Sequence, residues 1–261
     1  GVNPYRFGVI GASDSHTALS SVAEDDFHGK YANDSMPETK HKRTVPTSVG
    51  WDAGAQGLSA VWAEENSREA ITAAFKRREV YATSGPRIAL RVFGGTGFRK
   101  FDAKRPNLAA IGYQKGVPMG GELTAGKKPT QLLIHAARDP MSEKLERVQV
   151  IKGWVDADGK GHEKIFTVAQ ARNTKEVVDL QNGKTAHQGG ESQFAVLWTD
   201  PEYDAALDAF YYVRVLEMPT IRHTALDALA LKADLSVTKH PSIIRERAFS
   251  SPIWVNAPAG Q

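Results

Sequence analysis

From residue 87 onward the chain repeats one pattern: short runs in which apolar and polar residues alternate, with turn chemistry between them. Arg87-Ile88-Ala89-Leu90-Arg91-Val92-Phe93 alternates and stops at Gly94-Gly95. Comparable runs cover 131–137, 147–154, 164–169, 193–198 and 210–217. Asp139-Pro140, Asp158-Gly159, Asn182-Gly183, Gly189-Gly190 and Asp200-Pro201 punctuate them. Successive side chains of a strand point to opposite faces, so a period of two sends one row of each run into a core and the other outward. Asp158-Gly159 between two such runs supplies the positive φ that a tight hairpin needs. Several short strands with this spacing predict an antiparallel β-sandwich of two sheets over 87–261.

Residues 1–86 have another character. Arg6-Phe7-Gly8-Val9-Ile10-Gly11 is an apolar run closed by glycine, which predicts a buried strand leading into a loop. A polar stretch from about Glu24 to Gln56 shows no periodicity and is long for a connection; it reads as a functional loop or a disordered insert. Leu58–Ala63 predicts a second strand and Val80–Thr83 a third. Between them Ser67–Arg78 predicts a helix, with Asn66 or Ser67 as its cap, Glu69 in the first turn and Lys76, Arg77 and Arg78 in the last. This β-α-β rhythm predicts parallel strands of an open sheet or a barrel. The fold class expected for the whole is therefore α+β, with a domain boundary near residues 84–87.

Composition excludes several classes. Lys plus Arg number 33 and Asp plus Glu 30, and the basic residues are scattered, which gives nucleic-acid binding little support. No apolar run approaches the roughly 20 residues of a membrane helix. The absence of cysteine removes disulfides, thiolate metal sites and a cysteine nucleophile, but leaves both periplasm and cytoplasm open as compartments. The opening Gly-Val-Asn-Pro-Tyr resembles neither a signal peptide nor an initiation site and reads as the interior of a longer protein.

One dense cluster could carry chemistry: Gly11-Ala12-Ser13-Asp14-Ser15-His16-Thr17, at the end of the first expected strand. That end is where parallel sheets and barrels gather functional groups. An Asp and a His two residues apart can present a carboxylate oxygen and an imidazole nitrogen to one divalent ion or two neighbouring ions. The competing reading is a turn motif in which Ser13 and Asp14 satisfy loose backbone donors and His16 is merely exposed. A third reading takes Gly11-Ala12-Ser13-Asp14-Ser15 as a nucleophile elbow with Ser13 as nucleophile, although Ser15 stands where the elbow needs its second glycine. A fluorophosphonate probe would label Ser13 in that case.

Other candidates read as structural. His28 and His41 lie in the long polar stretch, and His135 falls inside a strand pattern. His162, His187, His223 and His240 sit near turns without a partner at ligand spacing. Trp51, Trp62, Trp154, Trp198 and Trp254 could form a sugar-stacking platform, but four stand in or beside apolar runs where packing is the simpler role. Arg68, Arg77 and Arg87 could meet an anion, with solvent exposure the default.

The words Gly-Val-Ile-Gly-Ala-Ser-Asp-Ser-His-Thr (8–17), Ala-Val-Trp-Ala-Glu-Glu-Asn-Ser-Arg-Glu-Ala-Ile (60–71) and Arg-Arg-Glu-Val-Tyr-Ala-Thr-Ser-Gly-Pro-Arg-Ile (77–88) resemble the C-terminal part of a bacterial family, the domain-of-unknown-function 3604 proteins. That family is related to the PHP (polymerase and histidinol phosphatase) superfamily of metal-dependent phosphoesterases. The likeness continues through Gly-Val-Pro-Met-Gly-Gly (116–121), Gln-Val-Ile-Lys-Gly-Trp (149–154) and Trp-Thr-Asp-Pro (198–201) to residues 210–220 and 246–254.

The resemblance implies a distorted β/α barrel with a metal centre at its strand ends, followed by a β-sandwich: here a partial barrel over 1–86 and the sandwich over 87–261. It implies zinc, manganese or iron as the ion, Asp14 and His16 as two of its ligands, and Ser13, Ser15 and Thr17 as groups that shape the loop and steady the ligands. The family's N-terminal His-x-His has no counterpart in this chain. The expected function is thus a piece of a metal-dependent hydrolase of a small-molecule ester or phosphoester, inactive alone and with no ion of its own. The alternative is a non-catalytic sandwich that binds carbohydrate or a partner, or simply packs. Neither nucleic acid nor membrane is an expected partner. A truncated barrel would expose apolar surface or unpaired edges, which predicts self-association.

Overall fold

Alternation decides which row of each strand is buried, and the computed structural model, which describes residues 4–19, 21–45, 48–55 and 57–258, follows it closely. Gln56 and the chain ends, including the opening Gly1-Val2-Asn3, lie outside the described residues. The strands are β1 (Arg43–Val45), β2 (Ser48–Val49), β3 (Leu58–Val61), β4 (Val80–Thr83), β5 (Ala89–Gly95), β6 (Gly116–Pro118), β7 (Glu122–Thr124), β8 (Gln131–Ala137) and β9 (Leu145–Val155). They continue with β10 (Gly161–Gln170), β11 (Val178–Asp179), β12 (Lys184–Thr185), β13 (Gln193–Thr199), β14 (Ala209–Glu217), β15 (Thr220–Ile221), β16 (Ile243–Ile244), β17 (Arg247–Ser250) and β18 (Ile253–Asn256). Three helices interrupt them: α1 (Arg68–Lys76), α2 (Leu108–Lys115) and α3 (His223–Ala230).

Two sheets form the body. The larger orders β10-β9-β14-β17-β4-β3, with β18 pairing β14 and β7; the smaller orders β13-β8-β5-β6. Leu90 and Val92 of β5 and Leu132, Ile134 and Ala136 of β8 share one core with Val148 and Val150 of β9 and Tyr211, Val213 and Val215 of β14. These are the inward rows of the alternating runs. All six expected strands are present, and β9 and β10 are joined through Asp158-Gly159 with Gly159 at φ 78°. An antiparallel two-sheet architecture is the result, as the pattern requires.

The N-terminal third differs from expectation. The run 6–11 joins no ladder. Its groups are bound singly: the Val9 amide donates to Ser251 Oγ at 2.9 Å, the Arg78 guanidinium to the Arg6 carbonyl at 2.8 Å, and the Gly57 amide to the Ala12 carbonyl at 3.1 Å. At Gly11 a Cβ would stand 2.5 Å from the Leu58 carbonyl oxygen, so the segment rides tightly along β3 where a side chain has no room.

The β-α-β rhythm also resolves differently, because β3 and β4 are antiparallel. Bends at residues 64–67 lead into α1, and the chain re-enters the sheet beside the end it left, with Val80 opposite Val61. The helix is as expected: the Ser67 hydroxyl caps it, accepting the Ala70 amide at 3.2 Å. Since β4 pairs β17, both strands belong to the sandwich's larger sheet, and no barrel closes among the described residues. The expected boundary at 84–87 falls where the chain passes from the large sheet to the small one. Among the described residues the only parallel pairing in that sheet is β7 with β18.

The polar stretch after Glu24 folds as short 3₁₀ turns at Glu24–Asp26, Ala32–Asp34, Pro37–Thr39 and Gly50–Asp52. It packs on α3 through buried Phe27, Lys40 and Trp51. The outer face of the small sheet has its own apolar cover: Phe98, Ala103 and Leu108 close over Phe93 and Leu133.

Ile134 is fully buried on β8, between β5 and β13. Ile134→Ala is expected to destabilise the fold by about 2–5 kcal/mol, the combined loss of transfer energy and packing, read as a lower urea midpoint at unchanged m-value.

Candidate functional site

The Gly11–Thr17 loop stands at the start of β3, beyond the segment bound along that strand. Local bonds shape it as sequence suggests for its hydroxyls. The Ser15 amide donates to Ser13 Oγ (3.3 Å), the Thr17 amide to Ser15 Oγ (3.4 Å), and the Ser15 and Thr17 hydroxyls share a bond of 3.2 Å. No imidazole bonds to Ser13 Oγ, so the nucleophile reading has no base in contact among the described residues. Lys30 clamps the loop from across a gap, donating from Nζ to the Ser13 carbonyl at 2.7 Å, while the Lys30 carbonyl accepts the His16 amide at 2.8 Å.

Asp14 adopts φ 50°, a left-handed conformation that Asp tolerates better than most residues. Its side chain is 74% exposed and faces Lys30 Nζ at 3.7 Å. His16 is exposed too, with its ring stacked on Tyr31 at 4.4 Å between centroids. The extended geometry that would send residues 14 and 16 to one side is thus interrupted at Asp14 itself. Among the described residues no group of three or more His, Asp or Glu side chains is placed to hold a metal ion.

A second constellation escaped the sequence reading. The inward row of β14, Tyr211-Val213-Val215, continues to Glu217, and the inward row of β17, Ala248 and Ser250, is preceded by Glu246. The Glu217 amide donates to the Glu246 carbonyl at 2.9 Å, extending the β14–β17 register so that the two carboxylates face each other across the strands. Both residues are buried. The Ser142 hydroxyl donates to Glu217 Oε2 at 2.5 Å, the Ser84 hydroxyl donates to Glu246, and Glu217 Oε1 has no partner among the described residues. Burial, opposed by Ser142 and reinforced by the charges of Glu246, Asp139 and Glu143, pushes the Glu217 carboxyl up to about 8. Burial, opposed by Ser84 and reinforced by Glu24, pushes Glu246 up to about 7. A cleft of about 780 Å³ opens over this end of the sandwich, bordered by Glu24, Arg87, Asp139, Glu143 and Glu246. Parity was the available signal for Glu217, which falls in the row that alternation over 210–217 assigns to the core.

The cleft's far wall is tied to α3. The His223 amide donates to Glu24 Oε2 at 2.6 Å, and its ring Nδ1 lies 3.5 Å from Asp227 Oδ2. Buried Lys40 donates to the same Asp227 oxygen at 2.7 Å and to the Phe27 carbonyl at 3.2 Å. Burial would raise Asp227, but bonds from His223 and Lys40 hold its carboxyl below the ordinary range. Other histidines have ordinary partners: His162 contacts Asp156 at 2.6 Å, His240 contacts Asp52 at 2.9 Å, and His187 contacts the Pro219 carbonyl at 2.6 Å. His28 faces Asp26 at 3.3 Å. Of the tryptophans only Trp51 is buried; the other four are half-buried.

The described residues define a mixed α+β protein, mostly antiparallel sheet, in which no helix is long and apolar enough to cross a membrane. A family model described as a protein of unknown function (DUF3604) matches residues 1–257, and the chain belongs to that family. None of the curated proteins matches it.

A carboxyl whose pKa is raised in the folded state stabilises the fold only while it is protonated. The contribution of Glu217 is therefore present below its ordinary 4.5 and is lost as pH rises toward about 8. Glu217→Gln removes the charged form, so the stability of the variant relative to the wild type is expected to rise between pH 5 and pH 8 in urea denaturation.

Proposed function

We propose that this chain forms part of a metal-dependent hydrolase of the phosphoesterase kind, to which it contributes Asp14 and His16 as ion ligands. The supporting observation is that the carboxylate and the imidazole are both exposed on a loop whose backbone is pinned, with no hydrogen bond to either ring nitrogen of His16 among the described residues. These donors suit zinc, manganese or iron. Two donors do not make a tight site, since useful affinity takes about three or four protein groups, so the remaining ligands belong to parts of the site outside the described residues. Membership in the family is consistent with the partial-barrel reading of residues 1–86, which remains part of this proposal.

The chain's own residues prepare the ligands. Lys30 fixes the loop through the Ser13 carbonyl and stands 3.7 Å from the Asp14 carboxylate. Tyr31 holds the His16 ring by stacking, and Ser13, Ser15 and Thr17 keep the turn closed. A bound ion would act as Lewis acid and lower the pKa of its water to roughly 7. The ester or phosphoester substrate is proposed on the same grounds, as is self-association through the open edge of β10.

The test is a manganese titration of the 261-residue chain followed by NMR. Broadening is expected first at the His16 ring and the Asp14 amide, and Asp14→Asn should weaken it. Sharp His16 signals at manganese levels that broaden other residues would defeat the proposal. Steady, chelator-sensitive phosphatase turnover by this chain without further ligands would instead overturn the expectation that it is inactive alone.

One observation favours a second reading, the sandwich as a non-catalytic binding module. On the outer face of the large sheet Phe210, Tyr212, Phe249 and Trp254 border an apolar hollow of about 330 Å³ with Phe7 and Val9 beside it. Such rings suit sugar stacking or packing against a further domain. Tryptophan fluorescence that responds to oligosaccharides in the wild type but not in Trp254→Ala would support it.

A further inference from the structure

Alternation leaves the outward row of the small sheet available, and that row carries Arg91 and His135. Arg91 on β5 and His135 on β8 are direct cross-strand neighbours, and His135 faces Ala195 on β13. Phe93 and Leu133, one step further along, are covered by the 98–108 segment, whereas Arg91 and His135 are not. They form the floor of a pocket of about 710 Å³, within the range of small-molecule sites. Trp62, just past β3, makes one wall, and Lys104 and Arg105 make the other; Gln193 lies at the rim.

The charge here is one-sided. No Asp or Glu lines the pocket. Asp102, the acid nearest in sequence, is turned to Lys115 Nζ at 2.6 Å and to the Arg99 amide at 2.8 Å. Glu79, near the Trp62 wall, is occupied by the Tyr113 hydroxyl and by Arg77 at 3.2 Å. None of Arg91, Lys104 and Arg105 has a carboxylate partner among the described residues. Arg91 is also positioned in advance: its guanidinium carbon sits 3.8 Å from the centre of the Trp62 ring, and Trp62 Nε1 donates to the Leu90 carbonyl at 2.8 Å, which fixes that ring. A flat guanidinium held half-buried on an indole loses little freedom on forming a forked bond to an oxyanion.

The geometry points to an anion-binding site on the outer face of the small sheet, for a small organic phosphate monoester. Three full positive charges with no acid among the lining groups match a dianionic head better than a single carboxylate. Ala89, Ala195 and Leu108 offer apolar surface for the organic part. The site needs no metal and involves neither Asp14 nor His16, so it stands independently of the hydrolase reading.

Phenyl phosphate titrated into the 261-residue chain with chelator present, followed by calorimetry, tests the site. Saturable, salt-weakened binding is expected, and Lys104→Gln with Arg105→Gln should lower the affinity about tenfold or more while leaving the fold intact, because both side chains are exposed. Arg91→Lys, which keeps the charge but not the fork, should also weaken it. Lys160→Gln with Lys184→Gln, which removes equal charge from exposed positions elsewhere, should not. The inference is overturned if phenol binds as well as phenyl phosphate, if no saturable heat develops at millimolar ligand, or if the two double variants behave alike.

Discussion

The two sheets stay together because the inward rows of β5 and β8 have nowhere to go except onto those of β9 and β14. Leu90, Val92, Leu132 and Ile134 on one side meet Val148, Val150, Val213 and Val215 on the other, all at or near complete burial. At roughly 1.5–3 kcal/mol for each such side chain removed from water, this contact outweighs any polar interaction in the molecule. β14 is its axis, since it pairs with β9, β17 and β18 and so ties most of the large sheet to one strand. Because the period of two fixes both rows at once, settling the core also settles the outside. Arg91 and His135 face outward on the small sheet for the same reason that Val92 and Ile134 face inward.

The same rule explains where polar groups become buried. At one end of the core, Lys152 donates to Asp200 Oδ2 at 2.6 Å and to the Glu202 carbonyl at 2.7 Å, and the Tyr211 hydroxyl donates to the same Asp200 oxygen at 2.6 Å. Each partner there is satisfied, so the Asp200-Pro201 turn is fixed onto the sheet without an orphaned charge. At the other end the inward rows of β14 and β17 run out into Glu217 and Glu246, and the arrangement is the reverse. Two acids face each other, one oxygen is left without a partner, and both carboxyls hold their protons more firmly than an exposed acid would. Such frustration concentrates at functional sites, although structural networks show it as well.

Legibility in the sequence followed the range of the interactions. The strands over 131–137 and 193–199 were readable almost to the residue, since alternation and turn dipeptides are local. Strand direction was not. Val80–Thr83 and Leu58–Val61 flank a helix in the order of a parallel unit, yet they pair antiparallel, because direction depends on the path of the connection and not on the residues of the strands. The helix α3 passed unread because its eight residues begin with His223-Thr224, and with it went the i,i+4 pairing of His223 with Asp227. Lys40 looked like one cation in a polar stretch, yet it is buried against an acid 187 positions away. For the loop at 11–17 the hydroxyl-rich turn was foreseeable, whereas the Lys30 clamp and the Tyr31 stack depend on a segment that carries no periodic signal.

The manner in which residues 6–12 are attached has a consequence for movement. A ladder resists opening as a unit, but this segment is fastened by separate bonds to Ser251, Arg78, Gly57 and Ser59 and by Arg6 to Glu122 and Asn256, none of them part of a ladder. Peeling it from the edge of β3 leaves every pairing of the large sheet intact. Residues 6–10 therefore form a stretch of lower local stability on a scaffold of high stability, able to open while the sandwich stays folded and the 11–17 loop stays pinned by Lys30.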